Sequence, residues 1–298
     1  MTEVKPNSLK AWILAARPKT LTGAMAPVLL GGALAVKHLR ASGADLRGSD
    51  VWLPFCLALA FAIIMQITAN MVNDYFDFKK GTDREDRLGP ERACAQGWIA
   101  PEKMKRAVLI LSIVALVVGL PLAFYGGWEM VIVGIACVVF CWLYTTHLSY
   151  IGLGDLLVVV FFGLVPVIFT FYVMTSHVSS SVWLSGLAMG LCTDCLLLVN
   201  NYRDIEQDRL SGKRTLVVLV GRRAAGWLYL LCGVGAVVLM IPVLKIWTLG
   251  MMVYLLLHLF TFRSMLTKTG RELNIVLGAT ARNIFIFGLL SSAFILLS

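Results

Sequence analysis

Two short runs of this chain gather carboxylates and carboxamides, and each begins where a strongly apolar stretch ends. NDYFDFKKGTD (residues 73–83) follows residues 52–72, and NNYRDIEQDRLSGKRT (residues 200–215) follows residues 182–199. A carboxylate placed in hydrocarbon costs roughly 2.5–3.5 kcal/mol by insertion scales, so such clusters mark function by default. Asn70, Asn73, Asp74 and Asp77 recur at helical spacing, as do Asn201, Asp204 and Asp208. Each set therefore forms a stripe on one helix face. Two carboxylate stripes among basic residues suit Mg²⁺ holding a phosphorylated ligand, because this hard cation prefers oxygen and shares phosphate oxygens.

Nearly everything between these runs is apolar. The composition is 59% hydrophobic and 14% charged, with a mean hydropathy of +0.82, outside the range of soluble domains. A bilayer core takes about 20 apolar residues per helix. Residues 21–36 (with 11–16 as a preceding part), 52–72, 107–124, 130–146, 156–174, 182–199, 225–243, 249–262 and 283–297 fit that need or approach it. The expectation is an all-α, polytopic membrane protein of about nine transmembrane helices, one domain over residues 1–298, with its polar loops on one side. Residues 21–36 are read as a span rather than a signal-peptide core, because many spans follow.

Charge sets the expected orientation. With the N-terminus inside, every Lys and Arg of the 26 except Lys37, Arg40, Arg47 and Lys245 falls on the inner side. That asymmetry accounts for the net charge of +9 and points to a lipid bilayer, not to nucleic acid. It places both acidic runs and the N-terminus on the cytoplasmic side; the expected location is the inner membrane of a bacterium. The seven cysteines are scattered, and Cys192 and Cys195 read as small packing residues within a span. The histidines lack partners at ligand spacing. In the charge-balanced stretch of residues 73–106, residues 99–102 (Ile-Ala-Pro-Glu) read as the start of a short helix. The sequence of span, acidic stripe and basic loop occurs twice, a loose internal repeat of two halves facing one cavity.

Asn-Asp-x-x-Asp with a later aspartate, and a second Asp-x-x-x-Asp, resemble the signatures of the UbiA superfamily of intramembrane prenyltransferases. RPKTL (residues 17–21), the run from 73 to 90, YIGLGD (150–155) with FFG (161–163), and residues 200–221 are similar to its branch that prenylates 1,4-dihydroxy-2-naphthoate. The commoner first motif carries an aspartate where this chain has Gly81; here it comes at Asp83, the form of the naphthoate branch. Gly81 is expected to end the helix.

The resemblance implies a helical bundle around a central cavity. It implies Mg²⁺ held by Asn73, Asp77, Asp83, Asp204 and Asp208 and bridged to a polyprenyl diphosphate, with Asp74 and Asn201 in support. Lys80, Arg203, Lys213 and Arg214 are expected to neutralise the departing diphosphate. Asp77, Asp204, Lys80 and Arg203 would carry catalysis. Arg17 and Lys19 are candidates for the acceptor's carboxylate, or else interfacial anchors. Ionisation would leave an allylic cation for the naphthoate ring to attack, in a closed, apolar cavity. Tyr144, Tyr150, Phe161, Phe162 and Tyr202 are candidate ring faces for that cation, Tyr144 also for substrate. Asp155 is expected to cap a helix N-terminus; Asp194 would line the cavity or pair with another span. A secondary transporter is disfavoured because the charges lie at one face instead of mid-membrane. A phosphoalcohol transferase would need an Asp-Gly-x-x-Ala-Arg core that this chain lacks.

Overall fold

In the computed structural model, which describes residues 4–81 and 87–298, long helices run back and forth through one bundle. They are α1 (Leu9–Ala16), α2 (Leu21–Ala41), α3 (Ser49–Lys79), α4 (Pro101–Gly126) and α5 (Glu129–Thr146). Then follow α6 (Gly154–Thr175), α7 (Ser180–Arg203), the short α8 (Ile205–Leu210), α9 (Leu216–Leu244), α10 (Met252–Thr267) and α11 (Leu273–Leu297). Strands are absent among the described residues.

Eight helical stretches of the described residues are long and apolar enough to cross a membrane. One of them, Leu216–Thr267, holds 52 residues. At 1.5 Å per residue that is more than twice a bilayer core. It folds back on itself at Lys245, whose φ of 52° turns the chain. Tyr229 stacks on His258 and Trp227 meets Phe262, so α9 and α10 lie antiparallel. Counted with this stretch as two, the described residues make nine helical passes, in line with the hydropathy.

Burial separates inner from outer helices. The most apolar windows of α7 and α2 are 67% and 61% buried, against 17% for α4 and 11% for α5. On α4, Ile110, Ile113 and Val117 form an exposed apolar stripe, the pattern expected of a face against lipid tails. Trp52, Trp128, Trp183 and Trp247 are also exposed, all at the end of the bundle away from the acidic runs. Tryptophan favours that depth because its ring is apolar and its N–H is not. The chain builds an integral membrane protein.

Two boundaries differ from expectation. Pro101 occupies the first turn of α4, which runs directly into its span; residues 99–102 do not begin a separate short helix. Pro suits that place because the first N–H groups of a helix lack intrahelical partners. The last helix begins at Leu273, ten residues early, because Asn283 satisfies its amide by donating to Thr261 Oγ1 at 2.8 Å. Arg17, in the left-handed region at φ 52°, separates α1 from α2, matching the expected division between residues 11–16 and 21–36. Gly81 takes φ +67° just past the end of α3, as its position predicts.

Candidate active site

The ends of α3, α5, α7 and α10 and the starts of α4, α6, α9 and α11 share one end of the bundle. There the first acidic run forms the last turns of α3, and the second spans the junction of α7 with α8. Asp204 sits at that junction with non-helical dihedrals, while its carbonyl still accepts from the Asp208 N–H at 2.8 Å. Lys213 N–H donates to the Asp208 carbonyl at 2.8 Å, and Gly212 at φ +71° makes the tight reversal.

Between the two runs opens a cleft of about 600 Å³. It is lined by Asp77 on one side, Asn200, Asp204, Gln207, Asp208 and Ser211 on the other, and Arg87, Arg92, Tyr150 and Lys213 around them. Stripes some 130 residues apart in sequence therefore face one another.

Each carboxylate has a distinct environment. Asp77 Oδ2 meets Arg92 Nη1 at 2.6 Å, and the same nitrogen donates to the Asn73 carbonyl at 2.6 Å. Asp204 is gripped by both Nε and Nη2 of Arg203, at 2.7 and 2.6 Å. Asp208 Oδ1 is 3.9 Å from Lys213 Nζ, whereas its buried Oδ2 has no hydrogen-bond partner. Burial pushes the Asp208 carboxyl up to about 6; Lys213 pulls it back, and Asp204 and Asp77 push it further.

This donor set fits Mg²⁺. Hard oxygens from Asp77, Asp204 and Asp208 face one cleft, and the partnerless Asp208 oxygen is an acceptor without a donor. Among the described residues no three His, Cys, Asp or Glu side chains already close into a cage. Mg²⁺ does not need one, since it keeps waters and completes its shell from substrate phosphates. Asn73 faces Thr145, whose hydroxyl donates to Asn73 Oδ1. Asp83 lies outside the described residues.

Several expected substrate contacts have other work. Asp74 is buried, and its two oxygens accept from the backbone N–H groups of Ala93 and Cys94 at 2.8 and 2.9 Å. It ties the loop bearing Arg92 to α3. Arg203 is 1% exposed, and besides Asp204 it binds Asn274 Oδ1 at 2.6 Å and Asn200 Oδ1 at 2.9 Å. A guanidinium so enclosed orients Asp204. Lys80 donates to the Thr145 and Thr146 carbonyls at 3.1 and 2.7 Å and lies 3.8 Å over the Tyr150 ring. Desolvation lowers its pKa, with Asp77 opposing and Lys213 adding. Lys19 and Arg214 are exposed and do not line the cleft. Arg17 lies within electrostatic reach of Asp74, Asp77, Arg87 and Arg92.

The ring faces divide similarly. Tyr150 already carries Lys80, Tyr202 carries Arg222 at 5.1 Å, and Phe161 packs on Phe140 at 5.2 Å. Tyr144 and Asn201 instead line a smaller adjoining cavity of about 190 Å³ with Asp155, Lys213 and Thr215. Asp155 does not cap its helix through its side chain. Cys192 and Cys195 are free and packed, the former donating to the Tyr254 hydroxyl at 3.3 Å. Arg87 and Arg92 were not legible beforehand, because they sit on an aperiodic loop.

The profile of the UbiA prenyltransferase family matches residues 24–295, which takes in both acidic runs and all the long helices. The chain belongs to the UbiA prenyltransferase family. It is 36% identical over 230 residues to the 1,4-dihydroxy-2-naphthoate octaprenyltransferase of Escherichia coli K12, covering 74% of this chain and 72% of that one. The enzyme of the same name from Mycobacterium leprae is 35% identical over 246 residues, 80% of each chain. Among solved structures, the apo UbiA homologue of Aeropyrum pernix K1 superposes with a TM-score of 0.69 over 94% of this chain and 98% of its own, at 16% identity. A UbiA homologue of Archaeoglobus fulgidus bound to DMAPP and Mg²⁺ gives 0.64 over 95% and 98%, at 14% identity. At such identities the likeness is one of fold. This UbiA member is accordingly a polytopic membrane enzyme of the prenyl-transferring kind.

Proposed function

We propose that this enzyme transfers a polyprenyl chain from its diphosphate to 1,4-dihydroxy-2-naphthoate with loss of carbon dioxide, giving demethylmenaquinone. One observation carries the reading: Asp77 of the first run and Asp204 and Asp208 of the second line a single cleft rimmed by Arg87, Arg92 and Lys213. The naphthoate acceptor is supported by the names of the relatives at 35–36% identity. In this reading the cleft lies on the cytoplasmic side of a bacterial inner membrane.

Asp77, Asp204 and Asp208, with Asn73 and Asp83, would hold Mg²⁺, which supplies positive charge to the diphosphate as the allylic C–O bond breaks. Arg203 fixes the Asp204 carboxylate by two hydrogen bonds, and Arg92 does the same for Asp77 with one. Lys213, between Asp208 and the cleft, meets the anion's growing charge. Arg17, within electrostatic reach of the cleft's Asp77 and Arg87, is the residue assigned to the acceptor's carboxylate. Attack at the carboxyl-bearing carbon interrupts aromaticity, and loss of carbon dioxide restores it.

Carboxyl-labelled 1,4-dihydroxy-2-naphthoate, offered with a prenyl diphosphate and Mg²⁺, tests the assignment. Labelled carbon dioxide should appear in equal amount with prenylated product. Label retained in a prenylated acid, or turnover only with 4-hydroxybenzoate or homogentisate, would remove the naphthoate and leave the family.

A further inference from the structure

Asp155 and Asp194 are carboxylates within membrane-spanning helices and belong to neither acidic run. They are 8% and 4% exposed, and neither joins a salt bridge among the described residues. Both oxygens of Asp155 and Oδ1 of Asp194 lack a hydrogen-bond partner in any other residue. Three unsatisfied carboxyl oxygens in one membrane interior are costly, and such groups persist where a ligand completes them.

The packing of α6 on α7 explains their placement. Gly186 and Gly190 form a Gly-x-x-x-Gly pair, which lets backbones approach closely. A methyl on Gly190 would stand 2.6 Å from the Val159 carbonyl oxygen, and one on Gly163 2.5 Å from the Gly186 carbonyl oxygen. Gly163 thus lies against Gly186, and Val159, one turn earlier, against Gly190, one turn later. One turn further in this antiparallel register come Asp155 and Asp194, near enough to feel each other's charge. A single π turn at residues 160–164 of α6 sits within this contact, a distortion often found at functional sites. Asp155 then opens onto the small cavity with Tyr144, Asn201 and Lys213; Lys213 also lines the Asp77–Asp204 cleft.

We propose that Asp155 accepts the proton of the acceptor's ring hydroxyl beside the attacked carbon, with Asp194 as its positioning residue. This rests on the prenyl-transfer reading above. The cavity shares Lys213 with the cleft, so a hydroxyl at a ring edge can reach Asp155 with the ring itself in the cleft. The hydroxyl O–H bond breaks and its proton passes to the Asp155 carboxylate. The oxygen's electrons form a ring ketone as the ring carbon bonds the allylic carbon, and the allylic C–O bond has left its electron pair on diphosphate. Asp194, facing Asp155 across the helix contact, acts on it through charge and so positions it for the transfer.

Purified full-length enzyme with Asp155→Asn, Asp155→Glu or Asp194→Asn tests this with 1,4-dihydroxy-2-naphthoate and its 1-O-methyl ether. Binding of a thiolo analogue of a prenyl diphosphate in Mg²⁺ is measured alongside. Asp155→Asn should bind the analogue within twofold of wild type yet lose at least 100-fold in kcat on the free diol. Asp155→Glu should recover tenfold or more of that loss. Wild type should discriminate strongly against the ether, and Asp155→Asn should turn over diol and ether about equally. Asp194→Asn should raise the acceptor KM more than it lowers kcat. Overturning results are Asp155→Asn within threefold of wild type on the diol, its loss of analogue binding, or equal wild-type turnover of diol and ether. Absence of prenyl transfer by wild type would instead strike at the prenyl-transfer reading.

Discussion

Arg203 and Asp204 are neighbours in sequence, and the guanidinium of the first closes on both carboxylate oxygens of the second at 2.6 and 2.7 Å. The pair forms where α7 stops and α8 begins, so the break in the helix is what turns the two side chains together. Arg203 also reaches Asn274, whose amide donates to the Leu88 carbonyl at 2.8 Å. One buried arginine thereby connects the second acidic run, the last helix and the loop that carries Arg87 and Arg92.

Arg203→Lys keeps the charge and loses the fork. An ammonium cannot serve Asp204, Asn200 and Asn274 at once, so buried acceptors are left unpaired at a cost of about 2–3 kcal/mol. The thermal midpoint in detergent should fall and the apparent Mg²⁺ requirement should rise. Wild-type values for both would mean that Arg203 does not organise the second run.

Backbone contact between α6 and α7 predicts a contrast between two glycines. Gly190→Ala forces a methyl against the Val159 carbonyl and should cost about 1–3 kcal/mol. Gly278, within α11, has nothing within 4 Å of an added methyl, so Gly278→Ala should be neutral or gain up to about 1 kcal/mol of helix propensity. Chemical denaturation in detergent measures both. Equal effects would contradict the close packing.

Nine passes with the N-terminus inside place Ser211 in the cytoplasm and Ser298 outside. Reporter fusions at these positions should give opposite signals. The same side for both would contradict the nine-pass topology.

The helices and the two acidic stripes were legible because apolar length and helical spacing are local properties of the chain. What escaped depends on partners distant in sequence. Arg92 lies on a loop without periodicity, and only the hold of Asp74 on Ala93 and Cys94 brings it to Asp77. Asp74 was expected to support the site, and it does so at a distance, accepting from two backbone amides of the loop that carries Arg92. Asp155 looked like a helix cap until the register of α6 on α7 set it opposite Asp194. The early start of α11 was hidden by Asn274 and Asn283, polar residues whose partners lie on other segments.

The central claim is that Asp77 and Asp204, from the two runs, share one metal-dependent site. Prenyl transfer by purified Asp77→Asn and Asp204→Asn across a Mg²⁺ titration tests it most directly, with thermal unfolding as the check on folding. Both folded variants should lose at least 100-fold in turnover at every Mg²⁺ concentration, because an amide is a poor substitute for a carboxylate on a hard cation. Wild-type turnover by both at saturating Mg²⁺ would contradict the two-run site.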